Sequence, residues 1–366
     1  MKKREICFIA QFPPPIHGLS KAVQTLYCSK EKCDENFEFQ KVNITKNRAF
    51  VKNFIKIFRS KADLYYFTIS QTRGGNLRDL IILKLLAIQH KRCLIHLHGG
   101  YYRQLVDRDI SGWQRKANYR ALENIAGVVV LSDSLKYIFR AMVPEERIYV
   151  VENCVDNQYL LTDTELQDKI RSVEEGKILH ILWLSNFIKS KGYPLVLEMV
   201  KKEKERVSLG EKKRFHFDFA GAFFDAEEKR EFETFLLENG LEEYVTYHGV
   251  VQDDEKRSLL KMCSVFILPT KYPKEGQPIS ILEAMGNGMF IISTNHAGIP
   301  DLVADGINGI VKDDYESAAY LYQLLQSLTV DELKKTAELN RSICMERFSE
   351  TQYIHKMFDL FRNMTE

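Results

Sequence analysis

Two glutamates, Glu275 and Glu283, flank a turn that contains glycine and proline, and together they could bind a hydroxyl-rich ligand. The stretch that contains them reads Thr270-Lys-Tyr-Pro-Lys-Glu275-Gly-Gln-Pro-Ile-Ser-Ile-Leu-Glu283-Ala-Met285. It follows the apolar run Val265–Leu268, which has the length and composition of a buried strand. Gly276 permits backbone conformations that are closed to other residues, and Pro278 suits the first turn of a helix. We therefore predict a strand, a loop that carries Glu275 and a helix that carries Glu283.

The start of this predicted helix is suited to an anion. Its first N–H groups have no partner within the helix and lie at the positive end of the helix dipole, so a diphosphate would be stabilised there. Glu275 precedes the helix and Glu283 lies more than one turn inside it, so we expect both carboxylates to face hydroxyl groups instead. Phosphate between two hydroxyl clusters describes a nucleotide-sugar. The alternative for two arbitrary glutamates is a solvated loop residue and a partly exposed helix residue.

The pattern of apolar residues predicts the strands and helices that position these glutamates. Short apolar runs alternate with longer amphipathic stretches, which is typical of parallel sheets covered by helices. In the first half we predict strands at Glu5–Ala10, Leu64–Ile69, Arg92–Leu97, Gly127–Leu131 and Ile148–Val151, with helices at Gly18–Cys28, Asn76–Gln89, Asp109–Ile125 and Leu135–Ala141. In the second half we predict strands at Ile178–Leu184, Phe215–Ala220, Val245–Tyr247, Val265–Leu268, Phe290–Ser293 and Gly309–Val311.

The length and charge of the chain indicate two domains. At 366 residues the chain exceeds the size at which one hydrophobic core usually stops growing. Residues 1–156 carry 26 Lys and Arg against 15 Asp and Glu, whereas residues 157–366 carry 26 against 35. A basic half joined to an acidic half suggests different partners, with an anionic one for the first. The stretch Glu152–Thr164 has little periodicity and is the best candidate linker. We predict an α/β fold of two doubly wound units, with ligands at the carboxyl ends of the strands.

Composition excludes several other classes of protein. The seven cysteines form no Cys-x-x-Cys pair, and we expect reduced, mostly buried thiols instead of a disulfide framework or a zinc site. The apolar run Ile6–Ala10 is too short for a signal peptide, and no run reaches the ~18 residues of a membrane span. We expect a soluble cytoplasmic protein with no nucleic-acid-binding motif.

Several motifs resemble those of one known family, in the same order. Glu275 and Glu283 are similar to the E-x7-E motif of the retaining GT-B glycosyltransferases of family 4, within an EG-x-P-x-x-x-LEAM context. Four further matching segments are Asn153-Cys-Val-Asp156, Phe187-Ile-Lys-Ser-Lys191-Gly192, Ser293-Thr-Asn-His-Ala-Gly298-Ile-Pro300-Asp301 and Asp305-Gly306-Ile-Asn308-Gly309. The resemblance covers essentially the whole chain. It implies a GT-B architecture with a central cleft, an N-terminal domain at 1–155, a C-terminal domain at 156–345, and a final helix at 350–366 that crosses back to the first domain.

The resemblance also implies roles for individual residues of the second half. Glu283 would hold the ribose hydroxyls, and Glu275 would contact the transferred sugar. Lys191 would neutralise the departing diphosphate, a task suited to a compact point charge. The turn and helix start, Gly276, Gln277, Pro278 and Ile279, would line the sugar and distal phosphate. One departure concerns Asn186, which stands where the family usually has an arginine, so the diphosphate loses a partner charge there.

Two segments of the first half would form the opposite wall of the donor site. Pro13-Pro-Pro-Ile-His17-Gly18 resembles the glycine-rich first loop of the family, although an ordinary strand-to-helix turn would look the same. His98, in Leu94-Ile-His96-Leu-His98-Gly99-Gly100, matches the histidine of the family at that point. Strand alternation places His96 and His98 on one side of the sheet. We expect His98 to act at the sugar, and His96, His248 and His296 to be structural.

The acceptor side is indicated by an amphipathic stretch. Val51, Phe54, Ile55 and Phe58 fall on one helical face, and Lys52, Lys56 and Arg59 form a basic stripe on another. One interpretation is docking on an anionic bilayer, at the inner face of the plasma membrane, where a polyprenyl-diphosphate-linked saccharide is the acceptor. The other is an ordinary amphipathic helix with a solvated basic face.

The resemblance implies a reaction that uses neither a metal nor a cofactor. A hexose would move from a nucleoside diphosphate, UDP rather than GDP, to a saccharide in capsule, lipopolysaccharide or exopolysaccharide assembly. The helix end and Lys191 would supply the positive field. One alternative is a GT-B-fold sugar-nucleotide 2-epimerase, which would need further acid/base carboxylates and histidines. The other alternative is a non-catalytic partner subunit, and the intact Glu275, Glu283 and Lys191 speak against it.

Overall fold

A computed structural model describes residues 3–14, 18–29 and 36–366 of the chain. The contacts between residues divide the chain into two compact units. The first consists of Met1–Cys154, Pro273–Gln277 and Glu350–Glu366, and the second consists of Val155–Tyr272 and Pro278–Ser349. Both units therefore contain chain from more than one region of the sequence.

A sheet of six parallel strands forms the centre of the first unit. In chain order its strands are β1 (Arg4–Ala10), β2 (Phe37–Asn43), β3 (Leu64–Thr68), β4 (Cys93–His96), β5 (Gly127–Val130) and β6 (Ile148–Val150). Their order across the sheet is β2-β1-β3-β4-β5-β6. Every residue of β3, β4 and β5 is buried, which explains why these strands appear in the sequence as continuous apolar runs.

Helices connect the strands of the first unit. Four of these helices are α1 (Gly18–Cys28), α2 (Phe50–Arg59), α3 (Arg73–Ile88) and α4 (Gly112–Glu123). The predicted helix at Leu135–Ala141 is instead a 3-10 helix at Asp133–Phe139. In α2 only Ile57 is buried, so most of this helix contributes little to the core.

The last helix of the chain belongs to the core of the first unit. This helix, α12 (Glu350–Thr365), buries an apolar stripe with helical spacing. The ring of Phe361 meets those of Phe8 and Tyr66 edge-on, with centroids 6.0 Å from each. The buried face of α12 consists of Tyr353, Ile354, Met357, Phe358, Phe361 and Met364.

The second unit repeats the architecture. Its strands are β7 (Leu179–Leu184), β8 (Phe215–Ala220), β9 (Val245–Tyr247), β10 (Val265–Leu268), β11 (Phe290–Thr294) and β12 (Gly309–Lys312). They are parallel, in the order β12-β11-β10-β7-β8-β9. Its helices are α5 (Asp163–Glu174), α6 (Tyr193–Ser208), α7 (Ala226–Asn239), α8 (Asp253–Met262), α9 (Ile279–Gly286), α10 (Ala318–Ser327) and α11 (Val330–Arg347). Two parallel sheets covered by helices confirm the predicted fold class.

All eleven strands that the sequence predicts are present, with ends within one residue of the prediction. The prediction missed β2, which among the described strands pairs with β1 and lies at the edge of its sheet. Its polar residues include Glu38, Gln40 and Lys41, and of its seven residues only Phe37 and Val42 are buried. An edge strand tolerates such a composition because one of its sides lies open to solvent.

One buried cation ties three helices of the second unit together. Lys169 of α5 is buried, and its Nζ donates to the carbonyls of Leu260 in α8 (2.9 Å) and Asn287 after α9 (2.7 Å). Burial lowers the pKa of Lys169 to about 7. The two carbonyls accept two hydrogen bonds from it, which lowers the cost of burying this polar side chain.

Six of the seven cysteines lie within the described residues. Cys7, Cys28, Cys93, Cys154, Cys263 and Cys344 are all free thiols, and Cys33 lies outside the described residues. Among the helices of the described ranges, none combines the length and the apolar composition needed to cross a bilayer.

Candidate functional site

The chain leaves the second unit for five residues just before α9. After Tyr272 it contributes Pro273–Gln277 to the first unit, and it returns to the second unit at Pro278. Glu275, Gly276 and Gln277 are buried. The two glutamates of the sequence motif therefore belong to different units, Glu275 to the first and Glu283 to the second.

A close backbone approach holds this five-residue segment in the first unit. A Cβ added to Gly276 would lie 2.9 Å from the Cα of Gly99 and 3.2 Å from the Cδ1 of Leu131. Only a glycine allows such an approach, since backbone at that distance cannot move aside cheaply. The residues that precede these two glycines, His98 and Glu275, are therefore carried by backbones in direct contact.

Asn153 and Gln277 form a second attachment within the first unit. The backbone N–H of Asn153 donates to Gln277 Oε1 (2.7 Å), and Asn153 Nδ2 donates to the backbone carbonyl of Gln277 (2.9 Å). Among the described residues, the buried Nε2 of Gln277 has no hydrogen-bond partner. A buried amide without a partner is costly, and such groups often belong to functional sites.

His96 and His98 lie side by side at the end of β4, as their spacing predicts. Their ring centroids are 3.9 Å apart and the rings are tilted by 31°. His96 is fully buried, with Nδ1 2.8 Å from the hydroxyl of Tyr66. Burial, together with the neighbouring His98, holds the pKa of His96 well below its usual value. His96 is therefore a neutral residue of the core, while His98 is only half-buried.

In the second unit, a tight loop after β7 positions Lys191. The next residue, Gly192, has φ +86°, and a Cβ there would lie 2.4 Å from the carbonyl oxygen of Pro269. The backbone N–H of Lys271 donates to the carbonyl of Ser190 (2.7 Å), so this loop is fixed to the chain that follows β10. Lys191 Nζ lies 5.1 Å from the ring centroid of Tyr272. Half-buried Lys191 thus stands at the carboxyl ends of two neighbouring strands, β7 and β10.

The helix α9 begins in the manner expected of an anion site. Pro278 precedes it as N-cap residue, so the helix starts one residue later than predicted, at Ile279. No side chain caps this end within the described chain. The backbone N–H of Ile281 donates to the carbonyl of Pro278 (3.2 Å), and the helix dipole places partial positive charge at this end.

Glu283, inside α9, has a cationic partner that the sequence did not indicate. It is 4% exposed, and Lys256 Nζ donates to its Oε1 at 2.6 Å. The same ammonium lies 4.4 Å from the ring centroid of Tyr159. Lys256 therefore offsets the charge of a carboxylate that would otherwise be costly to bury.

The remaining predicted residues lie apart from these clusters. Gly18 is the first residue of α1, and the preceding residues 15–17, which include His17, lie outside the described residues. Asn186 is exposed in the loop after β7. The structure thus brings His98, Glu275, Gly276 and Gln277 together in the first unit. It places Lys191, Pro278, Ile279 and Glu283 in the second, and their roles stay predictions.

Comparison with solved structures defines the class of fold. Anabaena Alr3699/HepE, solved in complex with UDP, is similar over 98% of this chain and 100% of that chain, with a TM-score of 0.73 and 15% identity. The lipopolysaccharide-biosynthesis glycosyltransferase WaaG is similar over 97% and 99%, with a TM-score of 0.63 and 15% identity. The chain has the GT-B glycosyltransferase fold.

Comparison of sequences points to a family within that class. Residues 163–343 match the model described as glycosyl transferases group 1. An uncharacterised 41.2 kDa protein in the cps region of Klebsiella pneumoniae is 22% identical, over 88% of this chain and 94% of the relative. Within the second unit, this segment carries the loop of Lys191 and the helix of Glu283.

We predict that Gly276→Ala lowers the free energy of unfolding by about 1–3 kcal/mol, because its Cβ would overlap the backbone of Gly99. Gly74→Ala is the matched control, since a Cβ at Gly74 meets nothing within 4 Å. Urea unfolding of both variants measures the difference. If Gly276→Ala were as stable as Gly74→Ala, the close approach of the two loops would be wrong.

Proposed function

We propose that this protein is a retaining, metal-independent hexosyltransferase that moves a sugar from a nucleoside diphosphate to a saccharide acceptor. The observation that carries the proposal is the buried Glu283 inside α9, a helix whose N-terminus has no side-chain cap. A carboxylate for a diol and an open helix end for a diphosphate are the two requirements of a nucleotide-sugar. The match of residues 163–343 to the group 1 glycosyl transferases supports the same conclusion.

Glu283 would hold the ribose. Its Oε1 already accepts a hydrogen bond from Lys256, and the ribose hydroxyls would donate to the carboxylate beside that ammonium. Because Lys256 offsets the charge, the carboxylate can stay buried both with and without the nucleotide. A UDP-sugar is the donor we expect, and the UDP bound to the similar Anabaena protein is consistent with it.

The diphosphate would bind at the start of α9 and near Lys191. The helix end offers N–H groups and the dipole, and Lys191 offers a full charge from a loop that Gly192 fixes against Pro269. Asn186 is uncharged and would not share this neutralisation with Lys191. Positive groups that are already in place stabilise the leaving diphosphate as it gains negative charge.

The transferred sugar would meet the residues of the Pro273–Gln277 segment. Glu275 and the unpartnered Nε2 of Gln277 are buried there, and His98 lies on the neighbouring loop. In the reaction, the bond from the anomeric carbon to the diphosphate oxygen breaks, and a bond to the acceptor hydroxyl oxygen forms on the same face. The acceptor proton passes to the leaving diphosphate, so no protein base is required.

The names of relatives support an acceptor in cell-surface polysaccharide synthesis. The O-antigen chain mannosyltransferase B of Escherichia coli is 31% identical over 31% of this chain and 29% of that protein. The Klebsiella relative is a protein of a cps region. We propose a saccharide acceptor of this kind, carried on a polyprenyl diphosphate at the inner face of the membrane.

The exposed surface of α2 supports contact with such a membrane. Val51 is 69% exposed and Phe58 is 56% exposed, and Ile55 lies between them on the same face. Lys52 and Arg59 are also exposed in this helix. This helix has a single buried residue and exposes apolar side chains beside basic ones. Such a surface is better suited to contact with an anionic bilayer than to contact with water.

The ribose assignment predicts that Glu283→Ala weakens binding of the cognate nucleotide. A hydrogen bond to a charged group is worth about 1.5–3 kcal/mol, so Kd should rise about 10- to 100-fold. UDP, GDP and ADP are tested by thermal shift, and calorimetry then gives Kd for the nucleotide that binds. Glu338→Ala, at an exposed position of α11, is the control and should bind like the wild type. Unchanged affinity in Glu283→Ala would contradict the assignment.

The membrane assignment predicts that replacing Lys52, Lys56 and Arg59 together with glutamine reduces binding to anionic liposomes. Each basic residue contributes about 1 kcal/mol near such a surface, so the loss should reach about 100-fold at low salt. Cosedimentation with liposomes measures it. The control replaces exposed Lys177, Lys212 and Lys335 of the second unit. Equal losses in both triple variants would leave α2 an ordinary amphipathic helix.

A further inference from the structure

A polar cluster lies on one face of the second sheet, away from the residues assigned to the donor. His180 is the second residue of β7 and pairs in register with His216, the second residue of β8. Asp218 is two residues further along β8, so its side chain points to the same face. These three residues stand near the amino ends of their strands, whereas Lys191 follows the carboxyl end of β7.

The three side chains converge closely enough to share an ion. One ligand atom from each lies within 4.8 Å of the others. The rings of His180 and His216 have centroids 5.1 Å apart. His180 Nδ1 lies 2.7 Å from Asp218 Oδ2. A tetrahedral ion with bonds of about 2.0–2.1 Å needs ligand atoms about 3.3 Å apart, so small side-chain movements would suffice.

The surroundings orient these ligands. Asp218, whose side chain is 1% exposed, has His248 Nε2 at 2.8 Å from its other oxygen, Oδ1. His216 Nε2 lies 2.8 Å from the hydroxyl of Thr246. Second partners of this kind fix the rings and the carboxylate of metal sites. The Nδ1 atom of His216 lies 3.4 Å from Nζ of Lys213, and an ion bound at this nitrogen would displace that ammonium.

We propose that His180, His216 and Asp218 bind a divalent transition-metal ion of the Zn²⁺ type. Two neutral imidazoles and one carboxylate form a ligand set that suits such ions, with an open position left for water. On binding, the ion takes the place of the proton between His180 Nδ1 and Asp218, and the neutral His180 ring then carries its proton on Nε2. The ion is distinct from the proposed transfer reaction, in which no metal takes part.

An ion can reach the cluster from solvent. His180 lines a surface pocket of about 500 Å³, together with Lys169, Lys177 and Met262. Both histidines of the set are partly exposed, whereas Asp218 is buried beneath them. The ion would connect β7 to β8 at the amino ends of the strands, so its effect would be on the stability of the second unit and not on turnover.

The test is a titration of the chelator-treated full-length protein with Zn²⁺. The wild type should bind about one equivalent, and Zn²⁺ should raise its Tm because only the folded state holds the ligands together. His216→Gln and His180→Gln should weaken Zn²⁺ affinity by more than about tenfold, since even the loss of an outer-shell partner costs about 10- to 100-fold. His355→Gln, at an exposed position of α12, is the control and should bind like the wild type.

A second measurement keeps the proposal testable if one variant does not fold. Co²⁺ bound to the wild type should show the intense d–d absorption of a four-coordinate site, and excess Mg²⁺ should not remove it. The proposal is overturned if the wild type binds Zn²⁺ no better than His216→Gln, or if the wild-type Co²⁺ spectrum is that of the hydrated ion. Nucleotide binding and donor turnover should be unchanged in His216→Gln, which separates this result from the proposed function.

Discussion

The contact of two glycine backbones is the constraint that places Glu275 in the first unit. Gly276 approaches Gly99 so closely that a Cβ at position 276 would lie 2.9 Å from the Cα of Gly99. This contact, with the two hydrogen bonds between Asn153 and Gln277, holds five residues of a later segment in the first unit. It sets Glu275 beside the loop of His98.

Buried charge in the second unit is balanced group by group. Glu283 is paired with Lys256, and Lys169 donates to two carbonyls. Asp218 lies between His180 and His248. Unpaired, each group would cost several kcal/mol to bury.

The sequence predicted the features that depend on neighbouring residues in the chain, namely strands, turns and helices. Buried strands appear as apolar runs, and the glycine and proline of the Glu275–Glu283 stretch indicated the turn and the helix that follow. The edge strand β2 was missed because its polar residues give it a composition like that of a loop. The pairing of Lys256 with Glu283 was missed because no spacing relates two residues on different helices. The His180, His216 and Asp218 cluster depends on the register of β7 and β8, which the apolar pattern does not specify. The membership of Pro273–Gln277 in the first unit depends on a packing contact with Gly99 that no motif contains.

The most direct measurement of the central claim is the stereochemistry of donor hydrolysis. A panel of UDP-, GDP- and ADP-hexoses is incubated with the protein and chelator, and proton NMR follows the anomeric signal of the first sugar released. The account predicts release from at least one donor, with the anomeric configuration of that donor kept in the first product. A first product of the opposite configuration would contradict retention, and the absence of hydrolysis from every donor, with no nucleotide bound, would contradict the donor site itself.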